Sequence, residues 1–301
     1  MPTSYHECLQ RAERITWRVE DLIGGDKAFD FSRRFLPDTL ARCAGIEFLR
    51  PRDRLLLNQI RAHAYLSMFL LVEEFVLPFV LDHARPISAE DHFRLRAYLE
   101  FAAEEAKHIH LFRSFREAFS EGFGRRCMII GPSSEIARRV LSHPKLSVAL
   151  LMLHMECMTQ SHYFDCAVND RDIDERFSDL LLHHALEEQQ HAQLDALMIE
   201  TMAGAMRQDD IDTAIQGYLE LTEFMDGALL SQVRLDIAEL EEASGRRLGS
   251  THRELLTNLQ HQACRWTFLG SGMRRPQFLA CVERLNGRAR AAIETRATAY
   301  C

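Results

Sequence analysis

The sequence predicts an all-α protein, a four-helix bundle core with additional N- and C-terminal helices. Three observations predict it. Long apolar stretches with helical periodicity run between breaks rich in Pro and Gly: Gly24-Gly25, Pro37, Pro51, Pro86, Gly122 to Pro132, Pro144, Gly245 to Gly249 and Gly270 to Pro276. Alternating β-branched runs, the mark of a half-buried strand, are scarce. Two Glu-x-x-His motifs, Glu105-Ala106-Lys107-His108 and Glu188-Gln189-Gln190-His191, stand 83 residues apart, each inside one of the apolar stretches.

Taken in order, the helices are expected at roughly 5–22, 52–83, 88–119, 145–169, 173–205, 209–243, 251–269 and 276–298. Pro51 followed by Asp53 suits the first turn of the second. Ser88, with Asp91 three residues on, reads as the N-cap of the third. No low-complexity linker divides the chain, so 1–301 reads as one domain. The core bundle falls at about 52–205, and the accessory helices at about 5–22 and 209–298. A weak repeat runs through the core. Glu73 to Glu105 is 32 residues, and so is Glu156 to Glu188. Two helical hairpins related by a pseudo-two-fold would set all these groups at one level.

Composition bounds the function. The chain is 47% hydrophobic and 27% charged, ordinary for a soluble globular protein. A net charge of −8 argues against nucleic-acid binding. The longest apolar run, Met68 to Leu81, is interrupted by Glu73, Glu74 and Pro78, which argues against a membrane span. No apolar signal segment opens the chain, and eight scattered cysteines without a C-x-x-C pair fit a reducing compartment. The expectation is a cytoplasmic protein, compatible with a homodimer.

Residues i and i+3 share a helix face, so each motif aims a carboxylate and an imidazole the same way. One helix upstream of each lies a carboxylate in apolar surroundings. Glu73 has Leu66, Phe69, Leu70, Val76, Leu77 and Val80 at helical spacing; Glu156 has Met152, Leu153 and Ala149 on its N-terminal side. An unpaired carboxylate there costs several kcal/mol, and a bound cation removes that penalty. Glu73, Glu105, His108, Glu156, Glu188 and His191 thus form the six-ligand set of bundles that hold two iron or manganese ions. Glu74 is the alternative to Glu73, but its ring includes Ser67 and Pro78. Oxygen and imidazole donors without thiolates suit Fe or Mn over structural Zn. Cys157, though adjacent to Glu156, points about 100° away and reads as packing. Glu104 and Glu187 each precede a ligand glutamate. Across the bundle, Glu104 is placed to accept from His191 and Glu187 from His108. His184 lies at i−4 from Glu188, so a third imidazole shares that face.

These residues resemble the ferritin-like di-iron carboxylate superfamily over about 65–191. The form His184-x-x-x-Glu188-x-x-His191 is similar to the p-aminobenzoate N-oxygenase type of di-iron oxygenase, which carries the extra histidine. The resemblance implies a ferritin-like bundle with two Fe ions (or Fe and Mn) held by Glu73, Glu105, His108, Glu156, His184, Glu188 and His191. It also implies O2 as co-substrate, and Tyr65 as an active-site tyrosine. Thr159 matches a threonine that assists proton delivery in related desaturases. An external ferredoxin or reductase would supply electrons, and the substrate would be a small or carrier-bound organic molecule. One departure stands out: where aminobenzoate enzymes use arginine on the first core helix, this chain has Met68. Acyl desaturation or hydroxylation, a radical-generating subunit and iron binding without organic chemistry are the rival functions within this fold.

Overall fold

The computed structural model describes residues 4–301. Four long helices form the core: α3 (Pro51–Ala84), α4 (His92–Phe123), α6 (Lys145–Ser161) and α7 (Glu175–Ala203). They pair as two hairpins, α3 on α4 and α6 on α7, and α4 meets α7 between them. A fifth long helix, α8 (Gln208–Ser244), lies against both α3 and α6. Around this frame sit α1 (Tyr5–Ala12), α2 (Asp38–Ala41), α5 (Ser133–Leu141), α9 (Ser250–Arg265), α10 (Ser271–Met273), α11 (Pro276–Leu285) and α12 (Gly287–Ala299). Among the described residues the β structure is confined to two isolated bridges, Gly24 with Lys27 and Arg34 with Ile173.

The termini of these helices follow from local chemistry. Pro51 and Pro276 occupy first-turn positions, where a missing N–H is no loss. Asp174 caps α7 by accepting from the Phe177 N–H at 2.9 Å. α4 and α8 stop at Gly124 (φ 76°) and Gly245 (φ 64°), left-handed positions that glycine adopts without strain. α6 is buried all round from Leu146 to Thr159, as befits a helix enclosed by α7, α8 and α10. Its close approach to α8 depends on Gly217, where an added Cβ would stand 2.6 Å from Ser147 Oγ. α3 has an 18-residue window of hydropathy 1.8, apolar enough to cross a membrane, but 67% of that window is buried inside the protein. It reads as a core helix.

Several expected boundaries are corrected. The helix expected at 5–22 ends at Ala12, and only a 3-10 turn, Val19–Asp21, follows. Trp17, Val19, Leu22 and Ile23 are buried against the bundle in an irregular path, so tertiary burial overrides helical propensity. Ser88 does not cap α4. The helix starts at His92 with Asp91 at the N-cap, and the Ser88 hydroxyl accepts from the Glu90 N–H instead. The helix expected at 276–298 breaks at Asn286, whose side chain caps α12 through the Arg288 N–H. The Asn-Gly pair there is a turn signal. α5 and α2 occupy stretches expected to be irregular. All eight cysteines are free thiols.

Candidate metal centre

The helices that carry the candidate ligands converge at mid-bundle. α3 contributes Glu73, α4 contributes Glu105 and His108, α6 contributes Glu156, and α7 contributes His184, Glu188 and His191. None is more than 4% exposed. Ligand atoms of Glu105, His108, Glu188 and His191 lie within 4.8 Å of one another, and so do those of Glu73, His108 and His184. Glu156 Oε2 stands 4.0 Å from His191 Nδ1. The two motif glutamates each span both motif histidines. Glu105 reaches His108 Nδ1 at 3.2 Å and His191 Nδ1 at 3.0 Å. Glu188 reaches the same atoms at 3.5 and 3.1 Å. His184 Nε2 lies 2.5 Å from Glu188 Oε1.

These close approaches are not all hydrogen bonds. His184 Nε2, Glu105 Oε1 and Glu73 Oε2 are buried and have no hydrogen-bond partner. Donors and acceptors this near each other, yet misaligned for bonding, point toward a shared centre instead of at one another. That is what ligands of a common cation do, so the residues fit a metal site. Without a cation the cluster is electrostatically strained. Burial, reinforced by Glu105 beside it, pushes the Glu73 carboxyl well above its usual range. Burial and the neighbouring His108 push His184 well below. For His108, burial is outweighed by Glu105 and Glu187, and it is pushed up to about 10.

Each motif histidine is held from behind. His108 Nε2 donates to Glu187 Oε2 at 2.9 Å, and His191 Nε2 donates to Glu104 Oε2 at 2.9 Å. Because a carboxylate only accepts, each ring keeps a proton on Nε2, so Nδ1, turned toward Glu105 and Glu188, is the nitrogen that would lose its proton to ligate a cation. Behind these stand partners that sequence reasoning missed. Lys107 pairs with Glu187, and Gln190 donates to both Glu104 oxygens at 2.7 and 2.6 Å. Both lie two residues after a ligand glutamate, so the signal was present in the spacing.

Of the two candidates on α3, Glu74 is exposed and accepts from Ser133 of α5, away from the cluster. Tyr65 is buried, and its hydroxyl meets His162 Nδ1 at 2.8 Å, while His162 Nε2 faces the Thr267 carbonyl at 2.9 Å. A carbonyl cannot donate, so His162 carries its proton on Nε2 and Tyr65 donates to Nδ1. Both His162 and Thr267 sit in π-helical segments, His162–Ala167 and Trp266–Gly270, which continue α6 and α9. The Thr159 hydroxyl donates to the Glu156 carbonyl at 2.8 Å. Asp195, one turn beyond His191, is fully buried with both carboxylate oxygens unpartnered. Burial holds it well above the usual carboxylate range. Its i+4 spacing from His191 was the available signal.

Comparison with known structures places the architecture. An R2-like ligand-binding oxidase in a mutant form, with an aerobically reconstituted Mn/Fe cofactor, aligns over 87% of this chain and 93% of its own at TM-score 0.51 and 15% identity. A second such mutant, anaerobically reconstituted with Mn/Fe, covers 88% and 92% at TM-score 0.49 and 14% identity. The fold is ferritin-like. Identity this low speaks to the fold alone. No family model and no curated protein matches the chain. Within the ferritin-like bundle, the buried Glu/His cluster has the donors to hold two metal ions.

Proposed function

We propose that this ferritin-like protein is an O2-dependent oxidoreductase with a dinuclear iron centre, or a mixed Mn/Fe one. It would oxidise a small or carrier-bound organic substrate, with N-oxygenation of an amine as the specific reaction. The observation that carries this reading is the cluster of buried carboxylates and imidazoles on three helices, with unpartnered atoms among them and Glu156 of the fourth helix 4.0 Å from His191. The ligands would be Glu73, Glu105, His108, Glu156, His184, Glu188 and His191. The structurally similar oxidases contain Mn/Fe centres in the same fold. The additional imidazole of His184 supports the N-oxygenase reading.

When bound, such a centre supplies the electrons for reductive activation of O2, replenished by an external ferredoxin or reductase. The chain supplies the rest. Glu105 and Glu188 span both motif imidazoles and hold the donor set together. Glu104 and Glu187 fix the tautomers that leave Nδ1 free to ligate. Burial of every ligand excludes bulk water. Tyr65 and Thr159 each hold a hydroxyl proton near this layer, on His162 and on the Glu156 carbonyl.

A second reading is desaturation or hydroxylation of an aliphatic chain. It is favoured by one observation: Met68 lines a narrow apolar slot with Leu71, Phe75, Met155, Leu229 and Phe268. Loading the protein with Fe(II) without O2, then admitting O2, tests both. About two iron ions per chain, rapid O2 uptake and an oxidised amine support N-oxygenation; an oxidised aliphatic chain supports the second reading. Mineral growth, or a persistent tyrosyl-radical EPR signal, would refute the organic chemistry.

A further inference from the structure

Three neighbouring cavities share lining residues in series. The outermost, about 580 Å³, is lined by His63 of α3, Arg116 of α4, and Arg125 and Arg126 in the connection that follows α4. A cleft of about 370 Å³ shares Arg116 and Ile129 with it, and adds Arg113, Leu70, Leu71 and Ile109. The apolar slot, about 60 Å³, shares Leu71 and Ile130 with that cleft. The slot in turn approaches the cluster. The ring of Phe268 in its wall stands 6.2 Å from Phe69, whose ring lies 5.1 Å from His184.

The outer end carries unmatched positive charge in a protein whose net charge is −8. Arg125 is engaged by Glu239 at 2.7 Å. Arg113, Arg116 and Arg126 form no ion pair among the described residues, although Glu117 and Glu121 line the same cavity and Glu74 lines the inner cleft. Burial, with Arg113 and Arg126 beside it, outweighs the nearby Glu117 and pulls the Arg116 guanidinium below its usual range. His63 is a second, independent sign. It is 3% exposed, lines the outer cavity, and its Nδ1 has no hydrogen-bond partner. A buried polar atom without a partner, in a residue that lines a cavity, is rare unless water or a ligand completes it.

We propose that this cleft binds the anionic head of an amphiphilic substrate, whose apolar tail runs through the cleft into the slot toward the metal cluster. Arg116, Arg113 and Arg126 neutralise the head, and His63 adds a neutral hydrogen bond. Leu70, Leu71, Ile109 and Ile130 sheathe the chain. Arg116 lies eight residues beyond His108 and eleven beyond Glu105 on the same helix, so at about 1.5 Å per residue the head sits roughly 12–17 Å from the cluster. At about 1.2 Å per bond in an extended chain, that span takes on the order of ten to fourteen bonds. The head is a phosphate or a carboxylate, since either offers the planar or forked oxygens that guanidinium groups match. The direction of the tail rests on the oxidation proposed above; the anion site does not.

Calorimetric titration of the iron-loaded protein tests this, using dodecyl phosphate, dodecanoate, inorganic phosphate and 1-dodecanol below micellar concentrations. One of the two anionic amphiphiles should bind at least tenfold more tightly than inorganic phosphate or dodecanol, and the tighter one identifies the head. Arg116→Met should weaken that binding at least tenfold while leaving dodecanol unchanged. Arg126→Met, at an exposed position that does not endanger the fold, should weaken it several-fold. Leu71→Trp should reduce the amphiphile to the affinity of inorganic phosphate. Dodecanol binding as tightly as the anions, or arginine variants binding like the parent, would overturn the proposal. Iron content measured on the same samples separates the two ideas: binding without iron removes the oxidase reading alone, and iron without binding removes this one alone.

Discussion

The two helical hairpins of the core repeat each other position by position, and their departures are more informative than their agreement. Glu104, Glu105 and His108 on α4 correspond to Glu187, Glu188 and His191 on α7. Each imidazole is backed by the carboxylate of the opposite hairpin at the same 2.9 Å. Four residues before the ligand glutamate, however, α4 has Phe101 and α7 has His184. Phe101 stacks on His191 at 4.1 Å, whereas His184 meets His108 edge-on at 4.6 Å and turns Nε2 into the cluster. Two residues after the glutamate, α4 has Lys107, a cation lying 4.1 Å over the Trp17 ring, and α7 has neutral Gln190. Four residues after the histidine, Phe112 faces Asp195. The repeat builds two similar positions, and these substitutions make them chemically unequal.

The largest expected effect comes from removing what the halves share. Glu105→Gln takes a spanning carboxylate from both histidines, so iron content should fall to near zero by elemental analysis. The metal-free variant should also be less stable than the metal-free parent by about 3 kcal/mol, because Glu105 is the carboxylate that pairs with both His108 and His191 and its loss leaves their buried charge uncompensated. Iron retention at the parent level would remove Glu105 from the ligand set. Making the halves alike is the next test. His184→Phe copies the α4 pattern onto α7 and should weaken one metal position about 10–100-fold, leaving roughly one ion per chain. Equal loss at both positions would show that His184 does not distinguish them.

The outer carboxylates should also respond unequally. In Glu104→Gln, the new amide can accept from His191 and donate to Gln190 Oε1, which has no partner at present. In Glu187→Gln, the amide N–H would face Lys107, which has nothing to accept with. Glu187→Gln should therefore lower metal affinity about 10–100-fold, and Glu104→Gln by less than about tenfold. Reversal of that order in a chelator-competition assay would refute the account of the two relays.

A smaller effect separates histidines inside the cluster from those outside it. Burial pushes His63 and His162 down to about 4 and His154 to about 3. The unfolded chain protonates these rings near pH 6.5 and the folded one does not, so stability rises with pH between about 4 and 6.5 and is lost as pH falls through that window. At about 1.4 kcal/mol per unit, full acidification costs the fold about 3 to 5 kcal/mol for each ring. His162→Gln should flatten part of the slope in denaturant titrations across pH 4–7, where His108 and His191, held charged by their carboxylates, contribute little. An unchanged slope would mean that His162 is not held neutral.

The sequence alone determined which residues share the face of the Glu/His cluster, because helical periodicity converts spacing into direction without reference to any neighbour. Glu105, His108, Glu188 and His191 were legible for that reason, as was the alignment of His184. The pairing of Glu104 with His191 and Glu187 with His108 followed from the same repeat. Local spacing favoured Glu73 over its neighbour Glu74 through the apolar ring around Glu73. It could not show where Glu74 goes, because α5, whose Ser133 meets Glu74, was not legible in the sequence. Nor could it show that Trp17 bends the N-terminal segment into an irregular path. Likewise, Arg126 returns to Arg116 only because the chain after Gly124 folds back along α4. Direction along one helix is a property of covalent geometry. Which charges go unmatched, and which cavities join, depends on contacts between segments far apart in the chain.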